Sequence, residues 1–204
     1  MMSQNVLKQG LIWIDLETTG LDRFKDVILE IACIITDKSL NVVAEMPTLV
    51  VHRSEEVLNN MNEWCRKTHG ATGLIKESLE SNLTMEEADN RVFDFISQYV
   101  TKRGIGILAG SSIHFDRAYM AREMTKTEQY LSHRMVDVSS IGELVKRWYP
   151  PHVALGRPAL FGTHHRALDD IRSSIQELRY YKKNVFIKAN HESVNGTFNA
   201  TNTN

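Results

Sequence analysis

Three stretches decide the fold: residues 10–15, GLIWID; residues 27–37, VILEIACIITD; and residues 42–52, VVAEMPTLVVH. Each is rich in β-branched and aliphatic side chains, and short polar connections, Gly20-Leu21-Asp22 and residues 38–41, separate them. That pattern reads as three adjacent strands forming a meander. From residue 54 the periodicity turns helical and broken, with Gly70 and Gly73 as punctuation. Thr84-x-x-Glu87 then reads as a capping box opening a helix to about Lys102, whose Ala88, Val92, Phe95, Ile96 and Tyr99 share one face. Short apolar runs at 105–109 and 135–138 alternate with helices starting near Phe115 and Ser139. Residues 150–162 hold three of the four prolines and two glycines and read as a loop, followed by a long helix from about Arg166 to Asn184. The expected architecture is α/β: a five-stranded mixed sheet, an antiparallel meander of three strands with parallel strands beyond it, flanked by helices.

Composition sets the bounds. A chain of 204 residues, 42% apolar and 24% charged, can bury a full core, and one domain over residues 1–187 is expected. The Asn/Thr-rich stretch 188–204 is expected to be a disordered tail. Its Asn195 and Asn199 match glycosylation acceptors in form only. Residues 1–10 lack the apolar core of a secretory signal and the arginines of a transit peptide, no run of about 18 apolar residues could span a bilayer, and Cys33, in an apolar strand-like run, and Cys65, in a helix-like one, read as packing residues. A cytoplasmic location and no membrane partner are the expectation. With a net charge of −1, the chain carries no field suited to long polyanions, so a nucleic-acid substrate would be short or locally gripped.

Acidic residues fall at three points. Asp15-Leu16-Glu17 closes the first apolar run, and period-two geometry sends both carboxylates to one side, where they could share an ion or simply form a turn. The following Thr18-Thr19-Gly20-Leu21 offers hydroxyls, a flexible backbone and one apolar side chain, a reasonable wall for a substrate pocket. Asp116 follows a buried run at a helix start, where it could bind an ion or cap the helix. In His164-His165-Arg-Ala-Leu-Asp169-Asp170, spacing alone permits His164 with Asp169 or His165 with Asp170. Five residues rotate a helix by about 140°, so the histidine belongs on the loop and the aspartate in the first turn of the last helix.

Taken together, Asp15-x-Glu17-Thr-Thr-Gly-Leu21, an Asp after a strand, and His-x-x-x-x-Asp opening a C-terminal helix resemble the three motifs of the DEDDh 3′-to-5′ exonucleases. More narrowly, Glu30-Ile-Ala-Cys-Ile-Ile-Thr-Asp37, Trp64-Cys-Arg-Lys-Thr-His69, Asp137-Val-Ser-Ser and His165-Arg-Ala-Leu-Asp-Asp-Ile resemble the oligoribonucleases, in order, over about residues 10 to 186. The resemblance implies an RNase H-like fold, selects His165 and Asp170, and makes Asp15, Glu17, Asp116 and Asp170 ligands of two divalent cations, Mg²⁺ or Mn²⁺. Such a pair, about 3.5–4 Å apart, activates a water, orients the scissile phosphate and stabilises the leaving oxygen. His165 is then the general base, its ordinary pKa near 6.5 suiting it to take the water's proton.

The resemblance further implies short single-stranded RNA as partner and a homodimer. Leu21 becomes a wedge and Trp64 a stacking surface for the terminal bases, with His69 near the phosphate being cut. Ser112, Arg134 and Ser139 match positions that hold the 5′-phosphate of a dinucleotide. Three positions depart from the oligoribonuclease pattern: Phe115 for a polar residue, Ser111 for an asparagine, and His133 for a tyrosine that reaches the dinucleotide across the dimer. Weaker discrimination between dinucleotides and slightly longer oligomers is the expectation. Asp22, Asp26, Asp37 and Glu30 match no ligand position and read as solvated or locally hydrogen-bonded, and Lys182-Lys183 as cations offsetting a helix dipole. A DNA-trimming exonuclease and a catalytically silent nucleic-acid-binding module are the competing readings. A silent module has no evident reason to keep four mutually repelling carboxylates together.

Overall fold

A computed structural model of the chain describes residues 9–156 and 166–186. In chain order these form β1 (Leu11–Thr18), β2 (Ile28–Thr36), β3 (Val42–Glu45), β4 (Leu49–Val50), α1 (Glu55–Asn59), α2 (Glu63–Ala71), α3 (Leu74–Glu80), α4 (Met85–Ser97), β5 (Ile107–Gly110), α5 (His114–Glu123), α6 (Thr125–Tyr130), β6 (Met135–Asp137), α7 (Val138–Trp148), α8 (Pro151–Leu155) and α9 (Ala167–Asn184). The strands make one sheet in the order β3-β2-β1-β5-β6, with β4 also paired to β2. β2 runs antiparallel to β1, β3 and β4, whereas β1–β5 and β5–β6 are parallel. The mixed sheet is therefore as expected, antiparallel at one edge and parallel beyond, but it has six strands among the described residues rather than five.

The extra strand comes from residues 42–52, which form two short strands instead of one. Pro47 has no N–H to give the ladder, and the chain leaves β2 after Met46 N–H bonds Cys33 O at 3.0 Å and rejoins it where Val51 N–H bonds Leu29 O at 2.8 Å. One helix is shorter than expected and one is new. The capping box of Thr84 and Glu87 opens α4 as expected, but α4 ends at Ser97, short of Lys102. There Tyr99 and Val100 both turn their N–H groups onto Ile96 O, which lets Val100 enter the core. Pro151, read as part of a loop, instead starts the one-turn α8 at its N1 position, where a fixed φ and a missing N–H cost nothing.

Side-chain alternation on β1 sorts the molecule into layers. Ile12, Ile14 and Leu16 pack with Ala88, Val92 and Ile96 of α4 and with Tyr119 and Met120 of α5. Trp13 faces the other way, onto Val138 and Val145 of α7 and Ile171, Ile175 and Leu178 of α9. Every residue of β2 is buried. No helix among the described residues is long and apolar enough to cross a membrane.

Candidate active site

Period two continues past Trp13, so Asp15 and Glu17 emerge on the face that α9 covers. Asp170 sits in the first turn of α9, and oxygens of Asp15, Glu17 and Asp170 all lie within 4.8 Å of one another. The neighbouring Asp169, which spacing could not distinguish from Asp170, instead has Oδ1 3.3 Å from the Arg172 guanidinium. Asp116 approaches from the opposite layer. It is not the N-cap of α5, which is Ile113, but stands in the first turn of that helix; its Oδ1 accepts the N–H of Leu16 at 3.0 Å, between the two acids of β1.

Electrostatics makes these four acids one group. Burial first, then the charges of Asp116, Asp170 and Glu17, push the Asp15 carboxyl well above the usual range. Glu17 is pushed up to about 8 by burial and then by Asp170, Glu30 and Asp116, with Arg166 opposing. Asp116 is pushed up to about 7, chiefly by burial, although its bond from Leu16 favours the charged form. Oxygen-only donors that repel each other in a partly dry site fit a hard divalent cation, which neutralises the charge and uses the lone pairs.

Long-range ion pairs fix where α9 begins. Glu30, expected at a solvated or locally bonded position, is instead completely buried. Arg166 Nη2 lies 2.6 Å from Glu30 Oε1, and Ala167 N–H donates to Glu30 Oε2 at 3.2 Å. The same guanidinium reaches Glu77 of α3 at 2.9 Å. Glu30, Arg166 and Glu77 thus set the start of the helix that carries Asp170, a role that sequence reading missed. Its signal was there: a lone acid inside an apolar strand must find a partner. Asp22, Asp26 and Asp37 do behave as read, each accepting bonds from nearby backbone or side-chain donors.

The residues expected to hold substrate stand on several different elements. Leu21 and Trp64 are apolar yet 76% and 61% exposed. His69 is buried, with Nε2 2.9 Å from Thr18 O. Ser112, in left-handed backbone with φ 53°, is held by Asp137, whose Oδ1 accepts the N–H of Ser112 at 2.9 Å and of Ser139 at 3.0 Å. The two serine hydroxyls end 3.2 Å apart, beside a cavity of about 390 Å³ reaching to Gly142, Lys146 and Glu177. In the sequence Asp137 stands out only as part of a motif; the structure makes it the organiser of this corner. His133 and Arg134 are exposed just before β6. Phe115 packs its ring 5.3 Å from that of Tyr119, against the apolar layer, and Ser111 Oγ lies 2.8 Å from Ser174 Oγ. His164 and His165, and the stretch 188–204, lie outside the described residues.

Comparison with known proteins points one way. The exonuclease family model RNase_T matches residues 12–178. The chain is 45% identical over 186 residues to the probable oligoribonuclease of Dictyostelium discoideum, covering 89% of this chain and 93% of that protein. It is 46% identical over 176 residues to the oligoribonuclease of Haemophilus influenzae (86% and 94% covered) and 41% identical over 182 residues to the mitochondrial oligoribonuclease of Homo sapiens (89% and 76%). Among solved structures it resembles exonuclease I from Methylocaldum szegediense, with a TM-score of 0.67 at 23% identity over 87% of this chain. It also resembles E. coli exonuclease I in complex with a dA16 oligonucleotide, with a TM-score of 0.67 at 14% identity over 86% of this chain. The chain spans 41% of each of those two proteins, and the likeness is one of fold.

Proposed function

The chain belongs to the exonuclease family and, within it, to the oligoribonucleases, and on that premise we propose that it degrades short RNA oligonucleotides from the 3′ end to nucleoside 5′-monophosphates with two divalent cations, Mg²⁺ or Mn²⁺, held by Asp15, Glu17, Asp116 and Asp170. The observation that carries this reading is the convergence of Asp15, Glu17 and Asp170 oxygens within 4.8 Å, with Asp116 tied to the strand residue between the first two. When bound, such ions activate the attacking water and stabilise the leaving 3′-oxygen.

The chain's own residues do the rest. His165 takes the proton from the attacking water. Leu21 separates the terminal bases and Trp64 stacks on one of them, a contact any base can make. Ser112, Ser139 and Arg134 receive the 5′-phosphate as donors, with Asp137 orienting the two serines. His69, anchored on Thr18 O, borders the phosphate being cut. His133 takes the position from which a tyrosine reaches across the dimer to the bound dinucleotide in the oligoribonucleases. In this reading residues 1–187 form one exonuclease domain, the protein works as a homodimer, and it resides in the cytoplasm. Exposed Leu144 and Trp148, four residues apart on α7, supply apolar surface in keeping with self-association.

Incubating the protein and Mg²⁺ with 5′-labelled RNA and DNA oligomers of about two to twenty nucleotides tests the proposal. Mononucleotide release from short RNA is the expected result, and products ending in a 3′-phosphate would contradict it. Comparable turnover of two-mers and seven-mers would support relaxed length discrimination; strict two-mer preference would sink that part.

A further inference from the structure

Helix α5 meets the end of β1 and the loop after it at three successive turns of one face. Asp116 Oδ1 accepts the N–H of Leu16 at 3.0 Å. One turn on, the Tyr119 hydroxyl donates to Gly20 O at 2.9 Å. A turn further, Arg122 Nη1 donates to Arg23 O at 2.5 Å and its Nη2 to Asp26 O. Spacing of three residues keeps these side chains on one side of the helix. Residues 16, 20, 23 and 26 are thereby referred to one rigid element, and exposed Leu21 lies between the second and third ties.

The geometry points to Tyr119 and Arg122 as positioning residues for the terminal-base wedge. They hold the loop that carries Leu21 at a fixed place relative to the β1 carboxylates, so grip on the 3′-terminal bases depends on two side chains that need not touch substrate. This rests on the reading of Leu21 as a wedge.

Each tie is itself ordered. Tyr119 is fully buried, and the Arg122 guanidinium lies 5.5 Å from its ring centroid. Arg122 Nη2 also meets Glu123 Oε1 at 2.6 Å, the other oxygen of Glu123 meets Arg53 Nη2 at 2.6 Å, and Arg53 Nε donates to Ile28 O at 2.9 Å. A chain of charges thus runs from the first residue of β2 to the loop. Bonds inside the loop, such as Thr18 Oγ1 to Gly20 O at 2.7 Å and Thr19 Oγ1 to Asp26 Oδ1 at 2.9 Å, fix its shape. Gly20 allows that shape, because a Cβ there would meet the Asp26 carboxylate at 2.4 Å. His69 ties Thr18 to α2. The bonds from Tyr119 and Arg122 relate the loop to the helix that carries Asp116.

The test compares Tyr119→Phe, Arg122→Met, Arg122→Lys and Leu21→Ala on a 5′-phosphorylated diribonucleotide with saturating Mg²⁺, alongside Mn²⁺ binding by calorimetry and thermal melting. Tyr119→Phe and Arg122→Met are expected to raise KM about 3- to 10-fold, the scale of one or two net hydrogen bonds, with kcat within about twofold and Mn²⁺ affinity unchanged. Arg122→Lys, which keeps charge and a donor, recovers part of the loss, and Leu21→Ala raises KM at least as far. If Leu21→Ala raises KM while folded Tyr119→Phe and Arg122→Met keep the wild-type value, the proposal fails and the wedge stands. If Leu21→Ala also leaves KM unchanged, the wedge reading falls and takes the proposal with it. A drop in kcat together with weaker Mn²⁺ binding would overturn it too, since α5 would then act through the carboxylates.

Discussion

Asp116 accepts the backbone N–H of Leu16 through Oδ1 at 3.0 Å, so a carboxylate from one helical layer is locked to the strand residue flanked by Asp15 and Glu17. The bond needs an oxygen acceptor but not a charge. Asp116→Asn can keep it through its amide oxygen while removing one of four mutually repelling acids. The expected outcome is a metal-free protein at least as stable as wild type, by up to about 1 kcal/mol, with activity lowered on the order of 100-fold or more. Thermal melting in chelator and an oligonucleotide assay measure the two; a large loss of stability would mean that Asp116 is there for folding.

The raised carboxyls set a pH dependence. Burial and neighbouring charge push Glu17 up to about 8 and burial pushes Asp116 up to about 7 in the folded protein, against about 4 in an unfolded chain. Between those limits the native state holds more protons than the unfolded state, so stability of the metal-free protein falls as pH rises from about 5 to 8. It should melt at a lower temperature at pH 8.5 than at pH 6. Saturating Mn²⁺ should narrow or reverse that order, because the cation binds the deprotonated acids. A melting temperature of the metal-free protein that rises over this range would contradict the account.

Arg166 and Glu30 are unequal partners. Glu30 is buried at 1% side-chain exposure and Arg166 keeps 28%, with Glu77 as its second anion. Arg166→Met strands an acid in the core with only the Ala167 N–H left and should cost about 2–4 kcal/mol. Glu30→Gln leaves the arginine with Glu77 and water and should cost closer to about 1 kcal/mol. Urea denaturation orders the two, and equal losses would show that the pair is not asymmetric.

Trp64 is 61% exposed, so Trp64→Ala should change stability by no more than about 0.5 kcal/mol. Its KM for short RNA should rise on the order of 5- to 100-fold, the range of one base–aromatic stack. Trp64→Phe should recover most of the grip. A KM untouched by Trp64→Ala would remove this residue from the substrate surface.

What could be read in the chain divides by distance. Alternation along LIWIDLET places Asp15 and Glu17 on one side, and Thr84 with Glu87 marks the start of α4, because both are local rules of geometry. The start of α9 near Arg166 was equally plain from its apolar stripe. The hidden relationships join residues far apart: Asp116 with Leu16, Arg166 with Glu30, and Asp137 with Ser112. Periodicity says nothing about which face of one element meets which residue of another, which is why Asp116 also read as a helix cap and Glu30 as a locally bonded acid. Pro47 shows a different limit, a local breaker outvoted by the β-branched run around it. Between Asp169 and Asp170 the helical stripe is indifferent, and resemblance alone supplies the choice; in the structure the Asp170 carboxylate lies near those of Asp15 and Glu17, whereas Asp169 meets Arg172.

The central claim is that the carboxylates of β1, α5 and α9 hold cations that cut RNA from its 3′ end, and Asp170→Asn tests it most directly. The measurement is the initial rate of mononucleotide release from a 5′-phosphorylated diribonucleotide, for wild type and Asp170→Asn, across a Mg²⁺ titration. The account predicts a Mg²⁺-dependent wild-type rate and a loss of at least about 100-fold in Asp170→Asn at every Mg²⁺ concentration. A near-wild-type rate from folded Asp170→Asn, or wild-type turnover that persists in excess chelator, would contradict it.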